Sequence, residues 1–270
     1  MRTDLGPLKA SCSNCALCEL CVPIGSSADM LWRLVPLARR KVRRGEDLYR
    51  AGNAFSAIYA VRSGFFKNDL VYQDGREQVI GFHMSGDILG IDGIGADCYT
   101  CNAVALEDSE VCVIPFSRLE EISREVRSLQ HQFHQVMSRE MVRNHDVMLL
   151  LGARAEVRLA AFLLNISQRI ETRGYSASEF HLRMTREEIG SFLGLKLETV
   201  SRLFSQFQRE NLVAVLQKDI RILDARGLRR IVGPMDGAGP TTAGTGLSRT
   251  PLPVNGKPRR AASNASALRA

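Results

Sequence analysis

Four cysteines fall within ten residues, Cys12, Cys15, Cys18 and Cys21, and three more follow at Cys98, Cys101 and Cys112. In a reducing compartment such clustering argues for metal or cluster ligation over disulfides. Close, regular spacing is how iron–sulfur segments present their thiolates. A four-thiolate zinc site would admit the same residues, but it usually draws two cysteine pairs from separated loops. The constant spacing therefore favours a cluster. Cys112, inside Val111-Cys112-Val113-Ile114, reads by itself as a small buried hydrophobe in a strand.

A second constellation lies near the other end of the chain. Met184-Thr185-Arg186-Glu187-Glu188 opens a helix, because Thr185 can cap the first amides while Glu188 reaches back to complete a capping box. Ile189, Phe192 and Leu193 give that helix its buried face, and Gly194 permits the positive φ that ends it. A second helix begins near Leu197, with Val200, Leu203, Phe204 and Phe207 packed inward. Its outer face carries Glu198, Ser201 and Arg202 at spacings of three and four. Two helices joined by a short glycine-containing turn form a helix-turn-helix, and Val213–Leu216, Gln217-Lys218-Asp219 and Ile220–Leu223 read as a hairpin wing. In a major groove Arg202 can donate two parallel bonds to guanine, Glu198 can accept from a cytosine amine, and Ser201 can meet a base edge or a phosphate. The bland alternative is a solvated face with an intrahelical Glu198–Arg202 pair.

These groups need a scaffold, and 270 residues at 45% hydrophobic and 24% charged provide one. From Lys41 to Phe116 short apolar runs are punctuated by glycines, as in a small antiparallel roll. A helical pattern without Pro or Gly then runs from about Ser117 to Leu151. Leu119, Ile122, Val126, Leu129 and Phe133 form one seam, which resumes at Met137, Met141, Met148 and Leu151 with Asn144 in the remaining place. At roughly 50 Å the helix would outrun one small roll, so pairing with a second copy is expected. An asparagine in such a seam tends to fix register and two-strandedness. Ala155–Arg173 reads as a further amphipathic helix. The expected organisation is a cysteine-rich segment at 1–29, a roll at 30–116, a dimerisation helix at 117–152, a winged helix-turn-helix at 153–233 and a disordered basic tail at 234–270.

The net charge of +7 is uneven: residues 1–176 are neutral overall, 177–233 carry +3 and 234–270 carry +4. Basicity thus accompanies the helix-turn-helix, which favours double-stranded DNA as a partner. No run approaches the roughly 18 apolar residues of a spanning helix, and no apolar secretory core follows Arg2 and Lys9. We read the chain as cytoplasmic, with no membrane partner.

In this order the parts resemble the CRP/FNR superfamily of bacterial regulators. The resemblance covers about residues 12–232 and is carried by Cys12-x2-Cys15-x5-Cys21-Val22-Pro23, Gly81-Phe82-His83, Gly86-Asp87, Cys112 before Ile114-Pro115-Phe116, and Glu198-Thr199-Val200-Ser201-Arg202. These motifs are similar to those of the oxygen-sensing fumarate and nitrate reduction branch. The resemblance implies an α+β fold: a cyclic-nucleotide-binding-like β-roll, a long dimerisation helix and a winged helix-turn-helix. It implies that Cys12, Cys15, Cys21 and Cys112 ligate an oxygen-labile four-iron four-sulfur cluster, with Cys18 spare. It further implies a homodimer on palindromic DNA with half-sites like TTGAT, and contact of an exposed loop around Ser85–Gly95 with RNA polymerase. Cys18 makes a second N-terminal triad possible, and Cys98 and Cys101 are further thiols near the roll. That branch tends to carry an acidic residue where Asn144 stands here.

The sister branch binds cyclic nucleotide in the roll. A buried phosphate needs a cation, yet residues 77–117 contain no Lys or Arg and seven acidic residues. Where that branch keeps a Glu after its glycine and a later Arg, this chain aligns Ile91 after Gly90, and Tyr99. No cyclic nucleotide is therefore expected. A ferredoxin-like electron carrier would leave the helix-turn-helix unused. A redox enzyme would need a nucleophile–base pair or a cofactor loop, and neither is visible. Within the regulator class, a thiol- or zinc-based sensor of the same fold is the alternative.

Overall fold

The computed structural model describes residues 38–72, 74–125 and 127–233. Cys12, Cys15, Cys18, Cys21 and the segment 234–270 lie outside them. Eight short strands come first: β1 (Ala38–Val42), β2 (Asp47–Tyr49), β3 (Ala57–Ser63), β4 (Phe65–Val71), β5 (Glu77–Met84), β6 (Ile88–Leu89), β7 (Asn102–Ala105) and β8 (Ser109–Pro115). They form two four-stranded sheets, in the orders β1-β8-β3-β6 and β2-β7-β4-β5. Alternating apolar residues from both sheets, Val42, Val61 and Val111 from one and Phe66, Ala103 and Ala105 from the other, meet in one buried cluster. Gly64 turns β3 into β4 at φ 95°, and a Cβ there would lie 2.0 Å from Ser109 Oγ, so only glycine fits.

Helices α1 (Phe116–Glu125) and α2 (Arg127–Leu151) follow. The first half of the expected seam is not free to pair with another chain. Leu119, Ile122 and Leu129 are buried with Ile58, Ala60 and Ile88 of the roll, and Val136 joins them in place of the expected Met137. One roll therefore covers more of this helical segment than its length suggested. Beyond it the surface opens, with Met141 58% and Met148 69% exposed. Asn144 is exposed between them, Met137 is half-buried, and Leu151 is the last residue of α2.

The chain continues through α3 (Ala155–Glu171), β9 (Glu179–His181), α4 (Arg186–Leu193), α5 (Leu197–Arg209), β10 (Val213–Leu216), β11 (Asp219–Ile222) and α6 (Ala225–Val232). The expected hairpin wing is present, with Gln217 in the left-handed region at its tip. It gains an unexpected third strand, since β9 pairs with β11 through Phe180 and Ile220. A single apolar cluster holds α3, α4 and α5 together and also takes in Phe65, Val79, Phe82 and Met84 from β4 and β5. The helix-turn-helix thus shares its core with the outer face of the roll. Among the described residues no helix is long and apolar enough to cross a membrane.

One expectation is corrected. The stretch Ser85–Gly95 is not an exposed loop, because Asp87, Ile88, Leu89, Gly90 and Gly93 are buried. Ile88 and Leu89 pair with Ala60 and Tyr59, Ile91–Gly93 forms a 3-10 turn, and full exposure begins at Gly95-Ala96-Asp97.

Candidate nucleic-acid interface and cysteine site

The reading helix is held by its neighbour. Thr185 Oγ1 accepts from the Glu188 amide at 3.1 Å, and Glu188 Oε2 accepts from the Thr185 amide at 2.7 Å, the reciprocal capping box expected at the start of α4. Gly194 ends α4 at φ 63°. Across the turn, Arg186 lies over the Phe204 ring, joining the first residue of α4 to the inner face of α5. Burial lowers the Arg186 pKa to about 10, which leaves it a cation at neutral pH. Val200, Leu203, Phe204 and Phe207 are buried, while Glu198, Ser201 and Arg202 are exposed together on the opposite face. Arg202 Nε bonds the Glu198 carbonyl oxygen at 3.4 Å and not its carboxylate, so both charged tips face outward. The face can meet base edges.

Cys112 is 5% exposed on β8, in an apolar cluster with Ile58, Ala60, Ile88, Leu119 and Ile122 under α1. Its partner across β1 is Arg39 and across β3 is Ala60. The chain therefore enters the sheet at Ala38, beside Cys112. Only residues 22–37 separate Cys21 from that entry, enough chain for about 50 Å at full extension. A soft sulfur donor in apolar surroundings, next to the point where the cysteine-rich segment joins the fold, fits a cluster shared between the two. Cys101 has a different environment. Its thiol donates to Asp92 Oδ2 at 3.5 Å, and burial, then Asp92, push its pKa up. Cys98 is half-buried. Among the described residues no three His, Cys, Asp or Glu side chains gather as a metal site.

Tyrosines fill the roll on the Tyr99 side. Tyr49 stacks on Tyr99 with ring centres 4.0 Å apart, and Tyr99 Oη donates to the Ala57 carbonyl at 2.8 Å. A cavity of about 300 Å³ lies between the roll and the helices, lined in part by His83, Asp92, Glu140, Arg143 and Arg169. Helices thus bring the cations that residues 77–117 lack, but both arginines are already engaged.

Their partner is Asp87, of the Gly86-Asp87 motif. Its carboxylate meets Arg169 at 2.5 Å, Arg173 at 2.8 Å and Arg143 at 3.4 Å, with its side chain 3% exposed. Burial alone would raise its pKa, but the guanidinium groups of Arg169, Arg143 and Arg173 outweigh that and hold it below the usual carboxylate range. The signal in the sequence was Arg169 and Arg173 one helical turn apart, a spacing that also describes many solvated faces. Lys67, Gln78 and Ser191, which bridge β4, β5 and α4, carried no recognisable pattern.

A β-roll feeding a long helix and a winged helix-turn-helix is the architecture of a DNA-binding regulator. The chain matches the family described as a cyclic nucleotide-binding domain over residues 39–125 and the Crp-like helix-turn-helix domain over residues 157–231. It is 48% identical over 235 residues to the transcriptional regulatory protein btr of Bordetella pertussis, covering 86% of this chain and 97% of that one. Identity to the fumarate and nitrate reduction regulatory protein of Salmonella typhimurium is 39%, over 86% of this chain and 94% of the relative. FixK2 from Bradyrhizobium japonicum has a similar solved structure, with a TM-score of 0.67 and 28% identity over 72% of this chain and 96% of that one. The chain belongs to the CRP/FNR family of transcriptional regulators.

Proposed function

We propose that the protein is an oxygen-responsive global regulator of the anaerobic response that acts as a homodimer on palindromic DNA with TTGAT-like half-sites. Cys12, Cys15, Cys21 and Cys112 would hold a four-iron four-sulfur cluster, with Cys18 spare. When bound, that cluster supplies an oxygen-labile link between the cysteine-rich segment and the roll. The observation that carries this reading is the pairing of Arg39, the second residue of β1, with Cys112, which is buried beside Leu119 and Ile122 of α1.

The chain's own residues account for the rest. Met141, Asn144 and Met148 give α2 an uncovered face suited to a second copy. A dimer sets two copies of the Glu198, Ser201 and Arg202 face at half-site centres about 34 Å apart, whereas a monomer keeps only one. Activation would follow from contact with RNA polymerase. We propose no cyclic nucleotide ligand, because Arg143 and Arg169 are bonded to Asp87 and the tyrosine stack fills the roll beside Gly90.

The test is iron and acid-labile sulfide content, with the visible spectrum, of protein purified without oxygen and then exposed to air. About four of each per monomer, with absorption that bleaches in air, is expected. Zinc, or no metal, with a constant spectrum would overturn the cluster and leave a thiol or zinc sensor of the same fold.

A further inference from the structure

Asp87 stands where three parts of the molecule meet. Its Oδ2 accepts from the Met84 amide at 2.8 Å, which closes the corner between β5 and β6. Arg169 Nη2 bonds both Asp87 Oδ2 at 2.5 Å and the Phe82 carbonyl at 3.0 Å. Arg173 bonds Asp87 Oδ1 through Nη2 at 2.8 Å and the Ser85 carbonyl through Nε. Two guanidinium groups near the end of α3 therefore grip one corner of the roll, and a third, Arg143, reaches the same carboxylate from α2.

A second set of bonds joins α4 to the roll. Ser191 Oγ on α4 accepts from the Val79 amide at 2.9 Å, and Gln78 donates to the Ser191 carbonyl. Lys67 lies 3.3 Å from Glu188, the residue that also completes the capping box of α4. With α3 held at Asp87 and α4 held at Val79 and Lys67, the position of α5 on the roll is set.

In the other direction Asp87 adjoins a row across the first sheet. Ile88 pairs with Ala60, Ala60 with Cys112, and Cys112 with Arg39. Ile88, Ala60 and Cys112 belong to one buried cluster with Leu119 and Ile122 of α1. Opposite residues on one face of an antiparallel sheet have Cβ atoms about 5 Å apart, so a shift at Cys112 meets Ile88 through a single intervening alanine.

We propose that Asp87 is the positioning residue of the DNA-reading helices: its arginine clamp sets α3, α4 and α5 on the roll, and the Cys112–Ala60–Ile88 row carries displacements at Cys112 to it. The second half of this proposal rests on the cluster reading given above.

Hydrogen–deuterium exchange of the full-length protein, read on peptides and paired with DNA affinity, tests both halves. Asp87→Asn keeps the shape and removes the charge. Expected is a rise in exchange of about tenfold or more over Arg186–Leu193 and at Val79, with β3 and β8 unchanged, and a loss of DNA affinity of about tenfold. Exchange that rises only between Met84 and Leu89, with DNA affinity unchanged, is what a merely local structural role predicts and would overturn the clamp. Arg173→Gln leaves the carboxylate bonded to two other arginines, so it reports on the same peptides should Asp87→Asn fail to fold. For the second half, wild type is compared with and without iron. Exchange over Arg186–Leu193 is expected to change on iron removal in wild type and to stay constant in Asp87→Asn. Equal exchange in iron-containing and iron-free wild type overturns the Cys112 row and leaves the clamp standing. An anaerobic preparation without iron overturns the cluster reading and the row together, while the clamp is decided by the first comparison.

Discussion

The Arg186 guanidinium carbon lies 3.3 Å from the centre of the Phe204 ring, so the first residue of α4 is held against the inner face of α5. The pair spans the turn of the helix-turn-helix and fixes the angle at which α5 is presented. Arg186→Ala should therefore lower stability by about 1 kcal/mol and weaken DNA binding although the residue lies on α4. Thermal unfolding and a binding titration measure the two effects. Unchanged values for both would make the contact incidental.

Arg202 has no carboxylate partner among the described residues, and its loss should be felt at one base pair. Arg202→Ala is expected to weaken binding to a TTGAT-like palindrome by roughly 5- to 150-fold, the range of one bidentate base contact. Titration against single-base variants of the half-site separates the possibilities. An equal loss on every sequence would assign Arg202 to phosphate instead of a base.

Asn144 lies exposed on α2 with Met141 and Met148. An aspartate there would place like charges opposite each other in a two-stranded pairing, which an amide does not. Cluster-free Asn144→Asp should be more monomeric than cluster-free wild type when the two are sized at the same concentration. Equal monomer fractions would remove Asn144 from the balance.

Acid should loosen the fold through His83. Burial, more than any other cause, brings its pKa from 6.5 down to about 4, with Asp87 and Asp92 opposing and Arg169 and Arg143 assisting. Between these values the unfolded chain binds the proton and the folded one does not, so stability falls as pH drops through this window, by on the order of 3 kcal/mol at most. Asp87 acts in the same sense, since its lowered pKa gives stability that is present above the ordinary carboxylate value and lost as pH falls toward its folded value. Denaturant midpoints at pH 7 and pH 5 should drop further in wild type than in His83→Gln. Identical drops would show that another group carries the dependence.

Much of the molecule was legible one residue at a time. Thr185 and Glu188 announce a helix start because a capping box is local, and Gly194 announces its end because only a left-handed residue completes that turn. The alternation of buried and exposed residues along α5 separated the face carrying Glu198, Ser201 and Arg202 from the one that packs, since 3.6-residue periodicity is written into the chain.

Other features depended on what the fold brings together. Leu119 and Met148 occupy equivalent places in one heptad-like seam, yet Leu119 is buried on the roll and Met148 is open. Periodicity shows that a face is apolar but not what covers it. Tertiary structure also gave Asp87 its three arginines, from 56, 82 and 86 residues away. It set Arg39 opposite Cys112, because strand register is decided by the packing of whole sheets. The sequence by itself determined the helix-turn-helix, the hairpin and the exposed face of α5, which are local properties. Only the tertiary structure decided how that face is anchored to the roll, because ion pairs and strand neighbours between distant segments exist once the chain has closed on itself.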